Sequence, residues 1–191
     1  MTTAAEQLPL WVQNSPSEPI PAIVGKSPST STYIAKPGES LACYVKPTDK
    51  YYLNQGRMSP SKVIANESNA DEHVWFLGEV ISYDSTTDKY MVNDIDVETD
   101  ERWNIDKNRT VPLPHYKIDP RLTSKALFEL DSRVLALCPQ TTCFYKARIY
   151  DQPKTLNDPY MITFDDPSYE SKMSPPMPVH QRYVISYPFS D

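Results

Sequence analysis

Two stretches of this chain repeat one pattern of side chains, and that duplication constrains the fold more than any other feature. In Trp75-Phe-Leu-Gly78-Glu-Val80 an aromatic residue is followed three positions later by a small one, and two later by a β-branched one. Phe144-Tyr-Lys-Ala147-Arg-Ile149 has the same order. Tyr90-Met-Val92-Asn-Asp94-Ile-Asp96 lies over Tyr160-Met-Ile162-Thr-Phe164-Asp-Asp166 in the same way. The offset is 69 residues from Trp75 to Phe144 and 70 from Tyr90 to Tyr160, so one residue enters the turn between the blocks. Such spacing reports two copies of one supersecondary unit, here of about 60 residues. The runs inside it are short and alternating, as strands are. A unit this small gains by packing on its twin, and closing into a barrel removes exposed strand edges. The expected architecture is all-β, two small barrels side by side.

The rest of the chain fits round this pair. Residues 1–35 are rich in Pro, Ser and Thr, which reads as an unstructured tail that cannot bury enough apolar surface to order itself. A short apolar piece, Leu8 to Val12, could instead dock on a partner. The first barrel is expected over 36–114. It begins with a strand at Leu41–Val45 and carries a long polar loop near 48–72. Strands follow at Val74–Asp84, Lys89–Asp96 and Glu101–Ile105, with a hairpin turn over Tyr83–Lys89. A linker over 115–128 holds the one helix-like segment, with Asp119 able to cap it and Pro120 at its first position. The second barrel is expected over 129–188.

Composition excludes several functions. Net charge is −6, which argues against a phosphate backbone as the main partner and suits a cationic peptide. No run approaches the ~18 apolar residues of a membrane span, and the N-terminus lacks the pattern of a secretory signal. Cys43, Cys138 and Cys143 are an odd set without metal-ligand spacing, and His73, His115 and His180 stand far apart. Only 4 glycines are present, and none forms a phosphate-cradling loop. No metal, cofactor or enzymatic activity is expected.

Longer runs sharpen the pattern. Lys89–Asp96, Thr110–Pro114, Ala126–Phe128, Val134–Leu137, Pro139-Gln-Thr-Thr-Cys-Phe-Tyr145 and Ser174–Pro176 resemble the C-terminal tandem Tudor domain of the SAGA-associated factor 29 family. The resemblance spans roughly Lys36 to Tyr187, and the run from Pro139 to Tyr145 is its most specific part. It implies two tandem Tudor-type (SH3-like) barrels in a nuclear subunit of SAGA-type histone acetyltransferase complexes. It further implies a reader of histone H3 carrying di- or trimethylated lysine at its fourth position. Family members usually carry a coiled coil before the Tudor pair, and no heptad pattern precedes Lys36.

Two pockets follow from the resemblance. A methylated ammonium is attracted by aromatic faces, at roughly 0.5–2 kcal/mol per good contact. Tyr145 and Phe164 match two cage positions. Cys138 stands where the third is usually Tyr, and Asp166 flanks the cage. A thiol has no π face, so Tyr160, Tyr116 or Trp103 could supply the missing wall. Phe164 aligns with Asp94, which suggests that this strand position faces outward. The second pocket would bind the free α-amine of the histone. Asp94 and Asp96, two apart on a strand, share one face, and Gln140 and Thr142 line the same groove. A scaffold with a decayed cage, or a reader of another methylated lysine or arginine, would show the same barrels.

Overall fold

A computed structural model describes residues 8–45, 74–95 and 102–188. The chain divides into two compact units. Thr32–Pro112 and Gln140–Phe144 form the first, and Met1–Ser31, Leu113–Pro139 and Tyr145–Asp191 form the second. In chain order the strands are β1 (Leu10–Trp11), β2 (Ser40–Val45), β3 (Val74–Asp84), β4 (Lys89–Asp94), β5 (Arg102–Asp106), β6 (Thr110–Pro112) and β7 (Lys117–Ile118). After helix α1 (Pro120–Thr123) come β8 (Arg133–Leu137), β9 (Cys143–Asp151), β10 (Tyr160–Phe164), β11 (Met177–Val179) and β12 (Val184–Ser186).

The repeat seen in the sequence is a repeat of topology. In the first unit the antiparallel order is β5-β4-β3-β2-β6, and a 3-10 turn over Lys107–Arg109 returns the chain to β2. In the second it is β11-β10-β9-β8-β12, with the 3-10 turn at Gln181–Tyr183. Each is a four-strand meander whose fifth strand comes back beside the first. The all-β class, with one short α-helix among the described residues, is as expected. The first two residues of β9, Cys143 and Phe144, belong to the first unit, where they pair with Phe76 and Trp75.

Each unit has its own core, built by the period of two. In β4, Tyr90 and Val92 turn inward between the more exposed Lys89, Met91 and Asn93; in β10, Tyr160 and Ile162 do the same. The two buried tyrosines close one hydrogen bond each, at matching places. Ala35 N–H donates to Tyr90 Oη at 2.9 Å, and Phe128 N–H donates to Tyr160 Oη at 3.0 Å. Ala35 and Phe128 each stand five residues before the strand that opens their meander, β2 or β8. A buried amide left without its acceptor costs about 1–3 kcal/mol. Tyr160→Phe is therefore expected to lower the stability of the second unit by that amount in urea unfolding, while a substitution at the exposed Tyr150 leaves it unchanged.

The N-terminal segment departs from expectation. From Leu8 onward it is built into the second unit instead of hanging free. β1 pairs in parallel with β7, and Val24 bridges Tyr116. Ile23 and Val24 are buried, and Trp11 and Ile20 pack against the same apolar cluster. Backbone bonds substitute for bulk hydrophobicity: Lys117 N–H donates to Pro9 O, His115 N–H to Ile23 O, and Lys26 N–H to Ala126 O. Gly25, at φ +53°, makes the closest approach, since a Cβ there would lie 2.2 Å from Ala126 O.

The linker is also corrected. Ile118, Ala126, Leu127 and Phe128 are core residues of the second unit, so 115–128 belongs to that unit and is no separate connection. α1 is capped as its sequence suggests: Asp119 Oδ1 accepts from Arg121 N–H, and Pro120 opens the helix. The Arg121 side chain bonded to the same carboxylate holds Asp119 below its ordinary pKa. The helix ends at Thr123 and passes into a 3-10 turn over Ser124–Ala126. The long loop expected near 48–72 lies outside the described residues.

Candidate functional site

In the second unit three rows of core residues run out at one end. Val134 and Ala136 on β8 are fully buried, and the next residue in phase, Cys138, is half-buried. On β9 the buried Ile149 and Ala147 lead in the same way to the half-buried Tyr145. On β10 the row Tyr160, Ile162 ends on Phe164. Because neighbouring strands are antiparallel, the end of β8, the start of β9 and the end of β10 coincide. Phe164 pairs with Ala147, which makes Tyr145 its diagonal neighbour on the same face, within reach for aromatic side chains. Tyr145 and Cys138 both pack against the cluster that contains Phe164.

The backbone pins this end. Ser174, itself buried, accepts from Phe164 N–H through Oγ at 3.0 Å, while its own N–H donates to Phe164 O at 2.8 Å. Asp166 lies just beyond. Its carboxylate accepts from Ser168 Oγ at 2.6 Å and Ser168 N–H at 2.9 Å. Those bonds, the side-chain one foremost, hold Asp166 below the usual carboxylate pKa, so a fixed negative charge stands there at neutral pH.

The corresponding end of the first unit carries a carboxylate. Asp94 ends the inward row Tyr90, Val92 on β4, as Phe164 ends its own row, and it faces Gly78 across the strand pair. Burial first, and the charge of Asp94 second, push the Cys43 thiol pKa up, so Cys43 stays protonated beside it. Leu77 ties this place to the segment ahead of β9: its N–H donates to Thr142 O at 2.8 Å and its carbonyl accepts from Ile95 N–H at 3.2 Å. Gln140 is exposed in the left-handed region at φ +64°, at the connection between β8 and β9. Thr141 Oγ accepts from Cys143 N–H at 3.2 Å and braces that connection.

Asp94, Gln140 and Thr142 thus share the first unit, and Cys138, Tyr145, Phe164 and Asp166 share the second. Asp96 lies outside the described residues. One expectation is overturned: Phe164 does not face outward. It is 5% exposed and Asp94 7%, because both keep the inward phase of their strands. The two positions do correspond, and both face inward. An acid at the last position of an inward row sits at the rim of a core, where it finds polar partners; it need not point to solvent. Two of the substitute walls are also committed elsewhere. Tyr160 is buried with its hydroxyl bonded to Phe128, and Trp103 packs 5.8 Å from Phe76 in the first unit. Tyr116 is exposed. Sequence reasoning missed Ser174, Thr141 and the double role of the Leu77 backbone. Only a Ser before Pro175 hinted at the first, and nothing local marked the others. Among the described residues, no group of three His, Cys, Asp or Glu is placed to hold a metal ion.

The family model described as SGF29 tudor-like domain matches residues 59–188. The chain is 36% identical over 184 residues to the SAGA-associated factor 29kDa of Drosophila melanogaster, covering 96% of this chain and 56% of that protein. SAGA-associated factor 29 homolog A of Arabidopsis thaliana is 30% identical over 125 residues, 62% of this chain and 44% of the relative. Homolog B of the same plant is 32% identical over 124 residues, with the same coverage. This chain spans about half the length of the relatives it matches. With a duplicated five-strand topology and a family match over most of its length, the chain belongs to the SGF29 tudor-like domain family.

Proposed function

We propose that this protein is a non-enzymatic chromatin reader. It binds the N-terminal tail of histone H3 with a di- or trimethylated lysine at the fourth position, and acts in the nucleus as a subunit of a SAGA-type histone acetyltransferase complex. The relatives' names support the complex, and the tudor-like family supports a reader. One observation carries the site: three core rows end together on Cys138, Tyr145 and Phe164, with the ionised Asp166 beside them. In this reading the Phe164 ring is the floor of the cage, Tyr145 is a wall, and Asp166 balances the cation. Aromatic faces attract a methylated ammonium that cannot donate hydrogen bonds. Asp94 and Asp96 take the α-amine of the first histone residue through charge-assisted bonds, and Gln140 and Thr142 hold the peptide backbone. An internal methyl-lysine lacks the free α-amine and so loses the contact to these carboxylates.

Titration calorimetry with H3 peptides of residues one to ten tests this reading. The trimethylated peptide with a free amine is expected to bind most tightly. Removing the methyl groups or acetylating the amine should each weaken binding about tenfold or more, the scale of one lost charge-assisted contact. Equal affinity for all three peptides, or none for any, would remove it. Cys138 favours a second reading, a scaffold with a two-walled and ineffective cage. Cys138→Tyr separates the two. In a working reader the added ring strengthens trimethyl-lysine binding by roughly 2- to 30-fold, one further cation–π contact. In a scaffold it creates binding where there was none.

A further inference from the structure

Asp166 offers the end of the second unit more than a fixed charge. It is half-buried and continues the inward row Tyr160, Ile162, Phe164 of β10 by one more step. The ladder carries that phase past the end of the strand, since Asp165 bridges Met173 and Asp166 N–H donates to Lys172 O at 2.9 Å. Residues two apart on extended chain share a face, about 6–7 Å from each other. The carboxylate therefore stands one step beyond the Phe164 ring, at the mouth of the row. Its two oxygens are not equivalent. Oδ1 accepts both bonds from Ser168, the hydroxyl at 2.6 Å and the amide at 2.9 Å. Among the described residues, no donor reaches Oδ2. Ser168 thus ties the carboxylate by one oxygen and leaves the other as an oriented acceptor.

We infer that this site prefers dimethyl-lysine to trimethyl-lysine, with Ser168 positioning Asp166 for that choice; the inference rests on the proposed methyl-lysine cage. A dimethylammonium keeps one N–H and can donate it to Oδ2 in a charge-assisted hydrogen bond. A trimethylammonium has no proton to give, so it would cover Oδ2 and leave that acceptor without a donor, which costs free energy. The opposite side of the cage points the same way. A third methyl group gains from a third π face, and the half-buried Cys138 supplies a thiol there instead. The third methyl of trimethyl-lysine therefore loses a hydrogen bond on one side without meeting an aromatic ring on the other.

Titration calorimetry of the whole chain tests the inference, with H3 peptides of residues one to ten that are dimethylated, trimethylated or unmodified at the fourth. The dimethylated peptide is expected to bind about three- to tenfold more tightly than the trimethylated one, the scale of one half-exposed charge-assisted bond. Ser168→Ala unties Oδ1, so it should weaken dimethyl binding more than trimethyl binding and bring their ratio toward one. Ser168→Thr keeps the hydroxyl and should keep the ratio. Ser168 is exposed, so both variants should melt as the parent does. A purely structural loss would weaken both methylated peptides by the same factor. Cys138→Tyr, which adds the third ring, should shift the ratio toward the trimethylated peptide. Equal or tighter binding of the trimethylated peptide by the parent, or an unchanged ratio in Ser168→Ala, would overturn the inference and leave the histone reading in place. If neither methylated peptide binds more tightly than the unmodified one, the cage itself fails, and the preference with it.

Discussion

Gly25→Ala is expected to release the N-terminal segment from the second unit, at a cost on the order of 3 kcal/mol. Two effects add. A non-glycine residue held in the left-handed region costs roughly 1–2 kcal/mol. The new methyl would also stand 2.2 Å from Ala126 O and 3.1 Å from Ile118 Cγ1, and the first of these is backbone that cannot rotate away. The chain relieves the clash by pulling back, which breaks the bond from Lys26 N–H to Ala126 O and lifts Ile23 and Val24 out of the core. Each of those side chains contributes about 1.5–3 kcal/mol when fully buried. Limited proteolysis should then cut within residues 8–31 while β8–β12 stay resistant, and the melting temperature should fall. A variant that is both resistant and unchanged in stability would mean that the segment is not held as described.

Phe164→Ala and Tyr145→Ala are expected to fail in different ways. Phe164 is buried in the core, so truncation removes a large ring from a packed site, at about 3–5 kcal/mol. Histone binding would be lost with the fold, so the substitution alone says little about a cage. Phe164→Leu keeps most of the volume and removes the π face. It should cost less stability and still weaken trimethyl-lysine binding about tenfold, the scale of one desolvated cation–π contact. Tyr145 is half-buried at the rim. Its truncation should leave the unit folded by circular dichroism and reduce binding by a similar factor. If Phe164→Leu and Tyr145→Ala both bind as the parent does, these rings are ordinary packing.

The repeat, the longer strands and the capped helix were legible because each has a local signature, whereas the short β1, β6, β7 and β11 have none. Strand phase is written in Tyr90, Val92, Tyr160 and Ile162, and the cap in Asp119 and Pro120. The N-terminal segment was not legible, since its order comes from backbone pairing with Tyr116, Lys117 and Ala126, residues that no local pattern connects to it. Composition measures how much apolar surface a segment can bury, and here few apolar side chains suffice because the ladder does the rest. At the site, alignment located Asp94 and Phe164 at matching places. The direction they face required the phase of the whole strand, which was visible in the sequence: Phe164 is two and four residues from the inward Ile162 and Tyr160. The convergence of Cys138, Tyr145 and Phe164 depends on antiparallel register, and no single stretch of sequence contains that.

The proposed pairing of the histone α-amine with Asp94 can be measured directly by a two-by-two titration. The parent chain and Asp94→Asn are each titrated with trimethylated H3 peptide, once with a free amine and once N-acetylated. Acetylation is expected to weaken binding to the parent about tenfold or more, yet to change binding to Asp94→Asn far less, because the partner of the amine is already gone. If acetylation costs both proteins the same factor, or costs neither anything, Asp94 does not hold the histone terminus.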